Sequence, residues 1–270
     1  MNVLVTAGGT IEPIDNVRSI TNTGTGKLGS LIADEFLSDS AVDHLFYICT
    51  KNAVKPQNPN ADIVFIKSVS DLENCVRQIL NDNEIDIIIH SMAVSDFTVR
   101  SVTDMTTLIS LLNDFILKNE VDMIDNGIDM SDNGTDKIDR DEAEQYLLEG
   151  FSKNDLIGKS GKMSSQVKYP LILLDETPKV LPQFREKSPN SIIVGFKLLS
   201  GVTKDELLDV AYDLLQTNKC DFVLANDESL ITKDKHVAHL LNEHKETISF
   251  ETKEEIAVGL VEAILKMSKP

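Results

Sequence analysis

The sequence predicts an α/β protein built on a doubly wound, mainly parallel sheet with helices on both faces, a C-terminal β-hairpin and an acidic helical and loop insertion. Three observations predict it. Short apolar runs rich in β-branched residues recur without polar alternation, as strands buried on both faces of a parallel sheet require. Stretches with the apolar periodicity of a helix separate those runs. Between residues 100 and 160 that rhythm breaks and the chain turns strongly acidic.

The first run, Val3 to Thr6, ends at Ala7-Gly8-Gly9-Thr10. After Pro13 a second glycine cluster, Thr23-Gly24-Thr25-Gly26, opens a helix in which Leu28, Leu31, Ile32 and Phe36 share one face. Runs at His44 to Cys49, Asp62 to Ile66 and Ile85 to Ile89 follow, with a helical stretch from Asp71 to Leu80 between the last two. Leu171 to Leu174, Ser191 to Val194 and Asp221 to Leu224 resume the alternation as further strands, with helices at Pro178 to Glu186 and Lys204 to Thr217. His236 to Leu241 and Thr247 to Phe250 flank a polar turn, which predicts an antiparallel hairpin on the sheet edge; a last helix runs from Lys253 to Met267. In the interruption two amphipathic helices are expected, at Thr103 to Lys118 and Arg140 to Lys153, with no strand to partner either. From Glu120 to Gly150 eleven acidic residues stand against Lys137 and Arg140, half the net charge of the chain. A long polar connection inside a compact domain serves as a lid, a protomer contact or a mobile excursion. The chain is therefore read as one domain, 1–270, with an insertion and flap at 100–160.

Several function classes are excluded early. A net charge of -18 over 270 residues argues against a nucleic-acid or anionic-membrane surface, so any anionic ligand needs a local site. No apolar stretch approaches the roughly 18 residues that span a bilayer, and Met1 runs straight into Asn2-Val3-Leu4 without a charged and apolar leader. Cys49, Cys75 and Cys220 are scattered, odd in number and without metal-ligand spacing, so they read as buried inert thiols in a reducing cytoplasm.

Gly8-Gly9-Thr10 is followed by Ile11-Glu12-Pro13, so the third glycine of a dinucleotide fingerprint is missing and hydride transfer is disfavoured. The P-loop pattern fails too, because Leu28 follows Gly26-Lys27 and position 21 is Thr. Gly24, Thr25 and Gly26 can still expose backbone N–H groups to an anion at a helix N-terminus, with Lys27 adding charge; the alternative is a plain helix start with a flexible approach. Arg18 and Asn22 bring a fixed cation and a bifunctional amide to the same stretch. His90 to Asp96 follows a strand, at the carboxyl end where open α/β sheets bind ligands. Asp96 could hold a ribose or a metal, or cap a turn, and His90 by itself reads as a satisfied histidine at the core edge. Asp129 to Gly134 imitates the start of a calcium loop, but Arg140 stands where a bidentate Glu is required.

Taken together, Thr6-Ala-Gly-Gly-Thr-Ile-Glu-Pro-Ile-Asp15, Arg18-Ser-Ile-Thr-Asn22 and Gly24-Thr-Gly-Lys-Leu-Gly29 resemble the N-terminal signature of phosphopantothenoylcysteine synthetase, the phosphopantothenate-cysteine ligase of coenzyme A synthesis. Ala93-Val-Ser-Asp96, Gly161-Lys162-Met-Ser-Ser165, Thr177-Pro-Lys-Val180, Val194-Gly-Phe196 and Ala225-Asn-Asp227 continue the resemblance in order, leaving out about 100–155. It implies a Rossmann-like fold and a cytoplasmic homodimer that joins 4'-phosphopantothenate to L-cysteine. The implied route is an acyl-cytidylate formed from CTP, Mg²⁺ accompanying the triphosphate. By resemblance Lys162 is a flap lysine, with a hinge at Gly158 and Gly161, and Asn22 touches the acyl-nucleotide. Both are candidate catalytic residues. The candidate nucleotide set is Gly8, Gly9, Thr10, Gly24, Thr25, Gly26, Lys27, Met92, Ala93, Asp96, Lys162, Pro178, Lys179, Val180, Leu181 and Phe196. Arg18 and Asn22 are assigned to phosphopantothenate, and no metal ligand is assigned. Without the motif, Lys162 would read as a solvated side chain.

Two departures qualify the resemblance. Leu214 and Asn218 stand where the bacterial pattern often has lysines, with Lys219 one residue off, so ATP stays open beside CTP. The acidic segment is also longer than expected. The fused flavin-binding decarboxylase common in bacterial members is missing, so the chain reads as a stand-alone synthetase. The competing readings are an NAD(P)-dependent oxidoreductase and a non-catalytic nucleotide-binding regulator.

Overall fold

The computed structural model describes residues 1–125, 139–157, 161–232 and 234–268. In chain order the elements begin with β1 Asn2–Ala7, β2 Ile11–Pro13, β3 Ser19–Thr21, α1 Lys27–Phe36, β4 His44–Cys49, β5 Ala61–Phe65 and α2 Val69–Asp82. They continue with β6 Ile87–His90, β7 Phe97–Asp104, α3 Met105–Asp125, α4 Arg140–Lys153, β8 Pro170–Glu176 and α5 Leu181–Lys187. The last are β9 Ile192–Leu199, α6 Lys204–Asn218, β10 Phe222–Ile231, β11 His236–Asn242, β12 Thr247–Phe250 and α7 Lys253–Ser268. They divide into two compact units. The first holds Met1–Ile11, Thr21–Asp96 and Thr177–Pro270; the second holds Glu12–Ile20 and Phe97–Glu176.

The first unit is an eight-stranded sheet in the order β12-β11-β10-β9-β6-β1-β4-β5. The six strands from β10 to β5 are parallel, and β11 and β12 add the antiparallel edge hairpin expected from the sequence. Its strands explain the unalternating runs. Val3, Val5, Ile87 and Ile89 face one core with Ile32, Phe36, Leu260 and Ile264 of α1 and α7, while Leu4, Ile88 and Ile193 face another with Leu72, Val76, Phe184 and Leu215 of α2, α5 and α6. Every one of these side chains is almost fully buried, and each such burial is worth roughly 1.5–3 kcal/mol. Reciprocal capping boxes, Ser68 with Asp71 and Thr203 with Glu206, start α2 and α6 where the sequence places those helices.

The chain winds from β1 to β4 and β5 on one side, then returns through α2 to place β6 on the other side of β1. The direction of winding therefore reverses between β1 and β6. Loops leaving the carboxyl ends of two such strands diverge and leave a crevice, the usual ligand position in an open α/β sheet.

In the second unit β7 and β8 form an antiparallel pair, Phe97 opposite Glu176 and Asp104 opposite Pro170. This corrects two expectations. Leu171 to Leu174 does not extend the parallel sheet, and the helices of the insertion do have a partner strand in β7. The physical sign is in β8, whose residues alternate between exposed and half-buried along its length, the signature of a sheet with one covered face. β7 is covered by the insertion: the Leu156 N–H donates to the Val102 carbonyl and the Asp155 carboxylate accepts the Val102 N–H. The helices α3 and α4 pack on one another through Phe115 and Tyr146, ring centroids 5.3 Å apart, and at Gly150, where a Cβ would lie 2.6 Å from Leu111. Asp129 to Gly134, the middle of the acidic run from 126 to 138, and Gly158 lie outside the described residues. Among the described residues no helix is long and apolar enough to cross a membrane.

Candidate functional site

The segments following β1 and β6 continue side by side beyond the sheet. Ala93 N–H donates to the Gly8 carbonyl at 2.8 Å, Thr10 N–H donates to the Ala93 carbonyl at 3.1 Å, and Gly9 and Ala93 form a parallel bridge. The Thr10 hydroxyl accepts the Ser95 N–H at 2.9 Å. Two otherwise free loops are thereby fixed to each other at the point where winding reverses.

Asn22 lies against this ladder. Its side-chain amide donates to the Ala93 carbonyl at 3.1 Å, and the residue remains exposed. The two glycine clusters are in direct contact: a Cβ on Gly9 would stand 2.7 Å from the Asn22 carbonyl oxygen, and one on Gly24 2.9 Å from the Gly8 carbonyl oxygen. Gly9→Ala is accordingly expected to push Asn22 out of place. Since ~1 Å of misplacement can cost on the order of 100-fold in rate, turnover should fall far more than stability, which should drop by roughly 1–3 kcal/mol. Comparing kcat with the denaturation midpoint checks this, and unchanged kcat would count against it.

Gly26, in the left-handed region at φ 75°, precedes α1, whose N-terminus has no side-chain cap and no acidic residue in its first turn. The Lys27 N–H reaches the Thr25 hydroxyl at 3.3 Å. The loop after β4 braces this turn: Val54 N–H donates to the Thr25 carbonyl, the buried Tyr47 hydroxyl donates to the Val54 carbonyl at 2.8 Å, and the Ala53 methyl fills the space that a Cβ on Gly8 or Gly26 would need. Backbone donors, the positive end of the helix dipole and the half-buried Lys27 thus favour an anion here.

On the β6 side, Thr177 donates its N–H to the Asp96 carbonyl at 3.0 Å and its hydroxyl to the Ser95 carbonyl. These bonds hold Pro178 and Lys179 beside Asp96, whose exposed carboxylate pairs with the Lys179 ammonium. Leu181 begins α5. Met92 and Val180 are core side chains, and Phe196 on β9 is half-buried against the core under α1 and α7.

His90 is fully buried, its Nδ1 2.8 Å from the Thr6 hydroxyl and its ring edge-on to Phe184, so it is the satisfied histidine expected from the sequence. Burial pushes its pKa down to about 4, and that of His236 likewise. A histidine kept neutral in the native state contributes stability that is full above its unfolded value of about 6.5 and is lost as pH falls towards 4. Unfolding free energy should fall by roughly 3 kcal/mol on account of His90 over that interval. His90→Asn should flatten the profile measured by denaturant titration at pH 7, 5.5 and 4.5; an unchanged slope would assign it elsewhere. Burial also raises the thiols, Cys75 to about 11 and Cys220 to about 12, in keeping with inert cysteines.

Arg18 and Lys162 belong to the second unit. The Arg18 guanidinium lies 3.1 Å from the Asp15 carboxylate, and Asp15 also accepts the N–H of Met163, the residue after exposed Lys162. The sequence reading quoted Asp15 but gave it no role; the signal is the Asx-turn pattern, a carboxylate accepting the N–H two residues on, from Val17. Asp227 of the Ala-Asn-Asp motif is likewise committed internally. It accepts the N–H groups of Gly201, Val202 and Ser229 and the Ser229 hydroxyl, which hold its pKa down to about 2, and so it pins the turn between β9 and α6.

Leu214 and Asn218 stand near the end of α6 that leads into the amino end of β10, opposite the carboxyl ends that carry the glycine loops. The Asn218 amide donates back to the Leu214 carbonyl, and the Lys219 carbonyl accepts from Arg185. Among the described residues, no group of three or more His, Cys, Asp or Glu side chains could hold a metal ion.

Residues 1–107 and 156–267 match the DNA/pantothenate metabolism flavoprotein C-terminal domain. The coenzyme A biosynthesis bifunctional protein CoaBC of Thermococcus kodakarensis is 27% identical over 267 residues, which are 98% of this chain and 51% of that protein. The chain spans about half the length of the first curated relatives it matches. A crystal structure of the DNA/pantothenate metabolism flavoprotein from Streptococcus pneumoniae is 33% identical, covers 99% of both chains and superposes with a TM-score of 0.74. A Cab2 variant solved in complex with phosphopantothenate-cysteine, 16% identical and covering 100% of this chain and 89% of its own, shares the fold with a TM-score of 0.61.

Proposed function

Because the chain belongs to the DNA/pantothenate metabolism flavoprotein C-terminal domain family, we propose that it joins 4'-phosphopantothenate to L-cysteine at the expense of a nucleoside triphosphate, with CTP as the nucleotide. One observation carries the reading: Asn22 is presented, exposed and with its amide fixed on the Ala93 carbonyl, at the winding reversal beside the uncapped start of α1. The names of the relatives, CoaBC and a phosphopantothenate-cysteine complex, support it. They favour neither an NAD(P)-dependent oxidoreductase nor a non-catalytic nucleotide-binding regulator.

In the proposed reaction a carboxylate oxygen of phosphopantothenate attacks the α-phosphorus, the bond to the β-phosphate breaks and pyrophosphate leaves. The cysteine amine then attacks the acyl carbon, CMP departs with the bonding electrons, and the ammonium proton passes to solvent. The first step brings two anions together, so the protein's contribution is charge neutralisation and alignment. Arg18 is assigned to the pantothenate phosphate, Lys162 to charge on the triphosphate, and Gly24 to Lys27 to phosphate oxygens through backbone N–H groups. Asn22, whose amide has a second N–H beyond that held by Ala93, is assigned to the acyl oxygen. The chain's described side chains do not assemble a resident metal site, and Mg²⁺ is proposed as part of the nucleotide substrate, carried on its phosphate oxygens. A homodimer and a cytoplasmic location belong to the same proposal.

The test is pyrophosphate release with phosphopantothenate, cysteine, Mg²⁺ and either CTP or ATP. Release that depends on phosphopantothenate and is faster with CTP is expected. No release with either nucleotide would overturn the reading, and preference for ATP would overturn the choice of CTP.

A further inference from the structure

We infer that Asp15 is a positioning residue: one buried carboxylate sets both Arg18 and the backbone on which Lys162 is mounted. The inference rests on the ligase reading of those two cations. The Asp15 side chain is fully buried, and each of its oxygens accepts two donors. Oδ1 takes the Val17 N–H at 2.8 Å and the Arg18 N–H at 2.7 Å. Oδ2 takes the Arg18 Nη1 at 3.1 Å and, from 148 residues along the chain, the Met163 N–H at 3.2 Å. The neighbouring residue completes a bracket. Asn16 donates its N–H to the Gly161 carbonyl at 2.8 Å, and Gly161, at φ 64°, lies so near that a Cβ there would be 2.2 Å from the Asn16 amide.

The backbone is thus tied on both sides of Lys162, through Gly161 before it and Met163 after it, while the Lys162 side chain itself is exposed. Both ties end on consecutive residues, Asp15 and Asn16, of the turn that carries Arg18. The four donors hold the Asp15 carboxyl below its ordinary value, the Val17 N–H foremost. An acid is needed here because all four partners donate. In Asp15→Asn one oxygen can still accept, but the new amide would turn its own N–H groups towards Met163 N–H and the guanidinium, donor against donor, with almost no change in volume.

The experiment compares wild type with Asp15→Asn in two assays. Trypsin should cut the Lys162–Met163 bond on the order of 10-fold faster in the variant, the rest of the digestion pattern being unchanged, because the tie that restrains it is gone. The kcat for pyrophosphate release should fall on the order of 10- to 100-fold, with the KM for nucleotide within about 2-fold. The loss should shrink when Lys162 is already Gln, as expected of a residue that acts through another. Wild-type cutting together with wild-type kcat would overturn the inference. If the wild-type chain releases no pyrophosphate, the ligase reading fails and cutting alone decides: faster supports the hold, unchanged overturns it. Should Asp15→Asn fail to fold, Gly161→Ala attacks the other tie and should give the same two changes; neither change in that variant would overturn the inference.

Discussion

Lys162→Gln is expected to slow pyrophosphate release by roughly 100- to 1000-fold with little change in stability. The expected size is that of removing one preorganised charge from a reaction whose transition state gathers negative charge. Stability should move by no more than about 0.5 kcal/mol, since Lys162 is exposed and both bonds that tie its segment use backbone groups. Glutamine keeps a polar side chain, one bond shorter, and loses the charge, so the effect should fall on kcat rather than on nucleotide KM. Steady-state kinetics with a thermal melt separate the two; a kcat within about 3-fold of wild type would remove Lys162 from the chemistry.

Asn22→Asp should produce a loss of similar size, roughly 100-fold or more, by a different route. The Asn22 amide now donates to the Ala93 carbonyl. A carboxylate has no N–H for that bond, so two acceptors would face each other and the side chain would turn away from the ladder. It would also bring a negative charge to the place where, in the proposed reaction, an oxyanion develops. Because Asn22 is exposed, solvent can take up the displaced carboxylate and the fold should survive. The diagnostic is single-turnover kinetics: formation of the acyl-nucleotide should slow while binding of CTP, measured by titration, stays near wild type. Normal single-turnover rates would reassign Asn22 to a structural role.

The parallel sheet and its edge hairpin were legible because a strand buried on both faces must be apolar throughout, as in the Ile87, Ile88, Ile89 series of β6. In the second unit α3, α4 and β8 were legible, but β7 and its pairing with β8 were not. Phe97 to Asp104 mixes Thr, Arg and Ser with valines, and its pairing with Pro170 to Glu176 spans the whole insertion, so no local pattern announces it. At the site, the glycine clusters and Asn22 could be found from their motifs. Their mutual contact could not, since it depends on a carbonyl at Asn22 meeting a missing Cβ at Gly9. Asp15 and Thr177 had been given no role for a related reason: each acts on backbone N–H and C=O groups, which every residue carries and no sequence pattern distinguishes.

The packing of α1 on α7 bears on how the chain comes to be folded at all. The apolar face of α1, with Ile32, Ala33 and Phe36, is covered by Leu260 and Ile264 from the last helix. On the ribosome α1 is made long before α7, and its greasy side has no cover until α7 has emerged. A translating chain must therefore keep that surface from wrong partners while the residues between Phe36 and Lys253 are made, roughly 10–45 s at about 5–20 residues per second. Its dependence on chaperones should be set by that waiting time, more than by the stability of the finished protein.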